Sequence, residues 1–177
     1  MTLINTVPTQ DALGQVADIY QEITEAFGQV PNGMQMFSAS PAMLASQWRN
    51  VSYYRAHPAL SLALLAAIRM LVSQDNACEY CIDFNAGLLI NMAGLSPEQV
   101  RAMQSNPASA PFTEKDKALL LFVLKATRAP KNVDESDVQH LRALGWTDAD
   151  LLDAVLAGAL NQAMDTVFNT FKIERDF

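Results

Sequence analysis

The run Leu62-Ala63-Leu64-Leu65-Ala66-Ala67-Ile68 has no polar face. Wound as a helix, it must be covered on every side, and only neighbouring elements can do that. The expected helix extends from Ser61 to about Gln74. Arg69 interrupts it, and no apolar run in the chain reaches the roughly 18 residues that a membrane span needs. Apolar spacing elsewhere is helical almost throughout, and no segment alternates with period two long enough to make a strand. The chain is therefore expected to be all-α. With 177 residues, half of them apolar, it reads as one domain over 1–177, with residues 1–10 as an N-terminal arm.

Helix-start chemistry subdivides the chain. Between Asp11 and Phe27, the positions Leu13, Val16, Ile19, Tyr20, Ile23 and Phe27 share a face, and Asp11 stands where an N-cap belongs. The turn-rich Gly28-Gln29-Val30-Pro31-Asn32-Gly33 breaks this helix. Ser40-Pro41 opens another, to about Arg55, and His57-Pro58 interrupts it. Asp75-Asn76 is expected to start the next helix, which carries both cysteines and ends at Gly94. Ser96-Pro97-Glu98-Gln99 combines a cap, a proline and an acidic first turn. Residues 105–112 form the longest loop and the natural divide between an N-terminal and a C-terminal part. Further helices are expected from Thr113 to Arg128, from Glu135 to Leu144 with a stop at Gly145, and onward from Thr147.

Twelve basic residues against nineteen acidic ones give a net charge of −7, with no local basic stripe. Nucleic acid and anionic membrane surfaces are therefore not expected as partners. The N-terminal stretch lacks the charged and apolar regions of a secretory signal. Two cysteines in a chain large enough to fold without staples point to a cytoplasmic setting.

Those two cysteines form the one motif with chemistry in it, Cys78-Glu79-Tyr80-Cys81. With Asn76 as N-cap, Cys78 falls in the first turn and Cys81 one turn on, close enough for a disulfide. The helix N-terminus lowers thiol pKa, while Asp75, Glu79 and Asp83 raise it, and the balance stays open. The alternative is two small buried apolar residues. Zinc needs four ligands, and only His57 and His140 could complete the set, so no metal is expected.

The block Val72-Ser73-Gln74-Asp75-Asn76-Ala77-Cys78-Glu79-Tyr80-Cys81-Ile82-Asp83 resembles the centre of the carboxymuconolactone decarboxylase and alkylhydroperoxidase D-like superfamily. It is most similar to the peroxidase-related branch. The resemblance extends to Val30-Pro31-Asn32, Ser40-Pro41, Gly94-Leu95-Ser96, the Phe112–Thr127 helix and the stretch from Leu141 to Thr147. It implies an all-helical, homo-oligomeric protein acting on a hydroperoxide or disulfide substrate with a thiol reductant and no bound cofactor. By the same resemblance Cys81 attacks the peroxide and Cys78 resolves the sulfenic acid.

Two positions depart from the family pattern. Active members carry a histidine four residues after the second cysteine and a glutamate twelve before the first; here these positions are Asn85 and Ala66. Neither can relay a proton, so weak turnover is expected. Tyr80, Asp83 and Glu79 are candidate substitutes, each with a plain structural role as the alternative. Arg69, inside an apolar helix, needs a partner if buried. Met34, Met36 and Phe37 could line a substrate pocket or belong to the core. His57 fits a helix end, and His140 a solvated face. The competing classes are a catalytically silent member with a structural, binding or redox-sensing role, and a lactone decarboxylase-type enzyme.

Overall fold

The structure, a computed structural model, describes residues 2–176, and every regular element among them is helical. The α-helices are α1 (Gly14–Phe27), α2 (Asn32–Gln35), α3 (Pro41–Arg55), α4 (Leu62–Asp75), α5 (Glu79–Asn91), α6 (Pro97–Ser105), α7 (Glu114–Arg128), α8 (Glu135–Ala143) and α9 (Asp148–Phe171), with short 3-10 turns between some of them. The chain divides into two compact units, one built from residues before 58 and after 166, the other from 58–166. The division thus falls at 57/58 and 166/167 rather than in the 105–112 loop. That loop is held instead by a 3-10 turn, Pro107–Ser109, which the Asn106 side chain caps.

In the first unit, α1 begins at Gly14 with Leu13 as its N-cap, not at Asp11. Asp11 closes a 3-10 turn whose amide bonds the Pro8 carbonyl at 3.0 Å. Gly14, at φ +53°, could not lie inside one continuous helix from 11. Val16, Ile19, Tyr20 and Ile23 then pack with Met34, Leu44 and Trp48 as the core of this unit. Met34 and Met36 are buried, and Phe37 tilts against Phe168 at 6.1 Å, so the trio is core packing. Residues 1–10 were expected as an arm; of those described, Val7 bonds Ser38 through its amide and Tyr20 through its carbonyl.

In the second unit, Ser61 caps α4 by accepting from the Leu64 amide at 3.2 Å. Leu64 to Ile68 and Met70 to Ser73 are all buried, while Leu62, at the exposed N-terminal end, is 38% exposed. The apolar run is thus covered from its second turn onward. α5 packs chiefly on α4, and α7 also lies against α4. α9 approaches α7 so closely at Gly158 that a Cβ there would come within 2.9 Å of Val123 Cγ1. Close approach at that point fixes the later turns of α9, where two buried polar side chains stand.

Candidate active site

The cysteine segment begins where α4 ends. Ala77 adopts the left-handed conformation, φ +50°, and its amide bonds the Gln74 carbonyl at 3.3 Å, while the Cys78 amide bonds the Ser73 carbonyl at 3.1 Å. This pair of bonds is a Schellman closure with alanine in the place glycine usually takes. Cys78 therefore does two jobs at once, as the last residue of that closure and as the N-cap of α5. The expected arrangement, with Asn76 as cap and Cys78 in the first turn, is not the one adopted. Asn76 instead sends its amide to the Val72 carbonyl and to Asp165, at 3.3 and 2.9 Å. α5 also stops at Asn91 rather than Gly94.

Asp165, from α9, meets the two thiols in the interior. The Sγ atoms of Cys78 and Cys81 and a carboxylate oxygen of Asp165 all lie within 4.8 Å of one another. All three residues are buried, Cys78 and Asp165 at 0% exposure and Cys81 at 4%. Both cysteines are free thiols. The carboxylate accepts from Ser73 Oγ at 2.8 Å, from Asn76 Nδ2 at 2.9 Å and from Asn161 Nδ2 at 3.2 Å, so its donors are neutral. Asn161 Nδ2 also reaches Ser73 Oγ at 2.7 Å and the Arg69 carbonyl at 3.2 Å. Three donor groups fall one short of the four ligands that close a structural zinc site, and among the described residues no histidine joins them.

The two thiols are unequal. The Cys81 thiol donates toward the Cys78 sulfur, and this is the chief reason that Cys78 lies below the ordinary thiol range; the Cys81 peptide N–H pulls the same way. Burial and the Asp165 carboxylate oppose it. Cys81 is pushed far up, first by holding its proton for Cys78, then by burial and by Asp165. Of the opposing influences that the sequence left open, the lowering one prevails at Cys78, and the counteracting carboxylate is Asp165 rather than its chain neighbours.

Asn85 lies one turn after Cys81 and is buried, its Nδ2 donating to the Cys81 carbonyl at 2.8 Å. Its Oδ1 is sealed from solvent with no hydrogen-bond partner. Ala66 is buried in α4 and supplies no polar group. Tyr80 is buried, its ring stacked on Phe84 at 6.0 Å, and Asp83 and Arg69 are half-buried. Glu79 and His140 are exposed. His57 follows the end of α3, its ring edge-on to Tyr53. A surface groove along α7 and α8, bordered by Lys117, Phe122, Lys125 and His140, includes neither cysteine.

Asp165, Asn161 and Ser73 were not singled out in the sequence. A signal was present: Asn161 and Asp165 continue the buried register of Leu151, Ala154 and Ala157 along α9, so two polar residues occupy an apolar stripe.

No family model and no curated protein matches the chain. Solved structures do. An uncharacterized peroxidase-related protein from Silicibacter sp. TM1040 superposes with a TM-score of 0.84 at 22% identity, over 98% of this chain and 91% of that one. A second such protein, from Ralstonia eutropha JMP134 and described as an alkylhydroperoxidase AhpD core, gives 0.84 at 23% over 99% and 92%. The chain has the alkylhydroperoxidase D-like fold. The debrominase Bmp8, solved with 2,3,4-tribromopyrrole bound, shares it with a TM-score of 0.80 at 16% identity, over 99% of this chain and 92% of that one. The alkylhydroperoxidase D-like fold therefore does not by itself select a substrate. Among the described residues no helix is long and apolar enough to cross a membrane.

Proposed function

We propose that the protein is a thiol–disulfide oxidoreductase of the alkylhydroperoxidase D-like type, reducing a hydroperoxide with Cys78 and Cys81. The single observation that carries this is the pair of buried free thiols, whose sulfurs and an Asp165 carboxylate oxygen all lie within 4.8 Å of one another. A thiolate is the reactive form of cysteine, and a second thiol one turn away is positioned to resolve the oxidised sulfur. The overall reaction balances as one hydroperoxide and two thiols going to one alcohol, one water and one disulfide. An external thiol reductant then restores the pair. We take Cys78, the lower of the two thiols, as the attacking sulfur and Cys81 as the resolving one, which exchanges the order implied by the family resemblance. A dithiol that must be reduced between turnovers suits the cytoplasm.

The burial of both sulfurs favours a second reading, in which the chain keeps the fold without turnover and serves a structural or sensing role. Thiol counting under mild peroxide separates the two. The expected result is two thiols lost together, without cross-linking between chains, and a sulfenic acid trapped on Cys78 in Cys81→Ser. Two thiols that stay free would establish the silent form. Trapping on Cys81 in Cys78→Ser alone would restore the family order of attack.

A further inference from the structure

We propose that Asp165 is the acid–base group of the dithiol, carrying each thiol proton in turn to the oxygen that leaves. The proposal rests on the oxidoreductase reading above and names the residue that moves protons within it. Its basis is placement. Asp165 is 0% exposed, both sulfurs lie within 4.8 Å of its carboxylate oxygen, and its remaining contacts are the neutral donors Ser73, Asn76 and Asn161. A buried carboxylate with no cation among its hydrogen-bond donors is costly, and its place beside two buried thiols marks it as a functional candidate.

Three acidic groups this close cannot all be ionised in a dry interior, because each added charge meets the others at low dielectric. Moving one proton between neighbours leaves the buried charge unchanged, whereas releasing it to solvent does not. The carboxylate first takes the proton of the attacking thiol. The thiolate then forms an S–O bond with the peroxide, the O–O bond breaks, and the electron pair leaves on the alkoxide. Sulfur is oxidised by two electrons to a sulfenic acid, and the Asp165 carboxyl returns its proton to the alkoxide, giving the alcohol. The regenerated carboxylate takes the proton of the second thiol as the S–S bond forms and the S–O bond breaks. Delivery of that proton to the departing hydroxide gives water. One negative charge is present throughout.

This assignment also changes the meaning of Asn85 and Ala66. A carboxylate from α9 stands beside the thiols, so a proton relay on α4 and α5 is not the sole route. The titratable groups facing Asp165 are the two thiols from α5. From α4 it meets neutral Ser73 and Asn76; Arg69 lies one turn before Ser73, and Asp75 is paired with Arg128 of α7 at 2.6 Å. Glu79 on α5 is exposed and Asp83 half-buried.

The decisive variant is Asp165→Asn, read by three measurements: peroxide turnover, the pH at which thiolate ultraviolet absorbance appears, and thiol loss under excess oxidant. Asp165 raises both thiols, so its neutralisation should let the first thiolate form at lower pH. Turnover should nevertheless fall by about 10²-fold or more, the usual contribution of a positioned acid–base group. A carboxylate that merely repels predicts the opposite, a faster enzyme, and turnover equal to or above the unmodified level would overturn the proposal. If the unmodified protein itself never pairs its thiols, the oxidoreductase reading fails first, and the proposal with it. Should Asp165→Asn not fold, Asn76→Ala decides: loss of a donor that favours the charged carboxylate should move the acidic limb of the pH–rate profile to higher pH. An unmoved limb would overturn the assignment.

Discussion

At the start of α6, Ser96 accepts from the Gln99 amide at 3.2 Å while the Gln99 side chain accepts from the Ser96 amide at 2.8 Å. At the start of α5, Cys78 stands in the same position and makes no capping bond of that kind. α8 repeats the α6 solution with Asp134 and Asp137, and Thr113 caps α7. The cysteine helix is thus begun without the local chemistry that begins its neighbours. Its first turn has no oxygen cap, so the Cys81 peptide N–H and the partial positive charge of the helix start act on the Cys78 sulfur, where a serine would have spent them on a hydroxyl. The contrast is between a helix start closed by a side-chain oxygen and one that presents a sulfur in the same place.

The comparison breaks most severely with Cys78→Ser. Serine is a preferred N-cap, so the start of α5 should become like that of α6, with thermal stability equal to the unmodified protein or higher by up to about 1 kcal/mol. Dithiol turnover should disappear altogether, since no disulfide can close. A large loss of stability in a melting experiment would mean that the sulfur is held for packing rather than for chemistry.

The converse change, Ser96→Ala, removes the hydroxyl half of the α6 capping box, leaves the Ser96 backbone bond to Gln99 in place, and should cost about 1 kcal/mol by denaturant or thermal unfolding. Peroxide turnover should be unaffected, because none of the groups around Asp165 belongs to α6. Reduced turnover at full occupancy of the folded state would show that the two helix starts are mechanically linked.

The same contrast explains what was legible in the sequence. Helices α4, α6 and α7 begin at Ser61, Ser96 and Thr113, where a side-chain cap announces the start, and the buried run in α4 needs nothing beyond its own composition. The beginning of α5 was misplaced because Asn76 is a good cap by type, but its amide is committed to Val72 and Asp165. No glycine marks the left-handed turn at Ala77, so the Schellman closure left no trace in composition. The cysteine pair was visible because its partners share one short motif. Asp165 was not, since it reaches the thiols through the tertiary packing of α9 and only its place in an apolar stripe distinguished it. The expectation of weak turnover rests on the family pattern at Asn85 and Ala66, two positions from which a carboxylate on α9 cannot be read.

The smallest expected effect lies at Ala77, between the two kinds of helix start. A non-glycine residue at φ +50° carries roughly 1–2 kcal/mol of conformational cost. Glycine would remove that cost while losing about 0.5–1 kcal/mol through the greater freedom of its unfolded chain. Ala77→Gly should therefore stabilise the protein by about 0.5–1 kcal/mol, a rise in Tm of about 1–4 °C for a chain of this size. The Schellman bonds from Ala77 and Cys78 to Gln74 and Ser73 are made by the backbone, so they survive the change and Cys78 keeps its place. Turnover should stay at the unmodified level. A higher Tm accompanied by slower turnover would show that the stiffness of alanine at this turn holds the sulfur against Asp165, and that the cost at φ +50° serves the site. A lower Tm would remove the strain from the account, leaving the missing cap as the only sacrifice made at the start of α5.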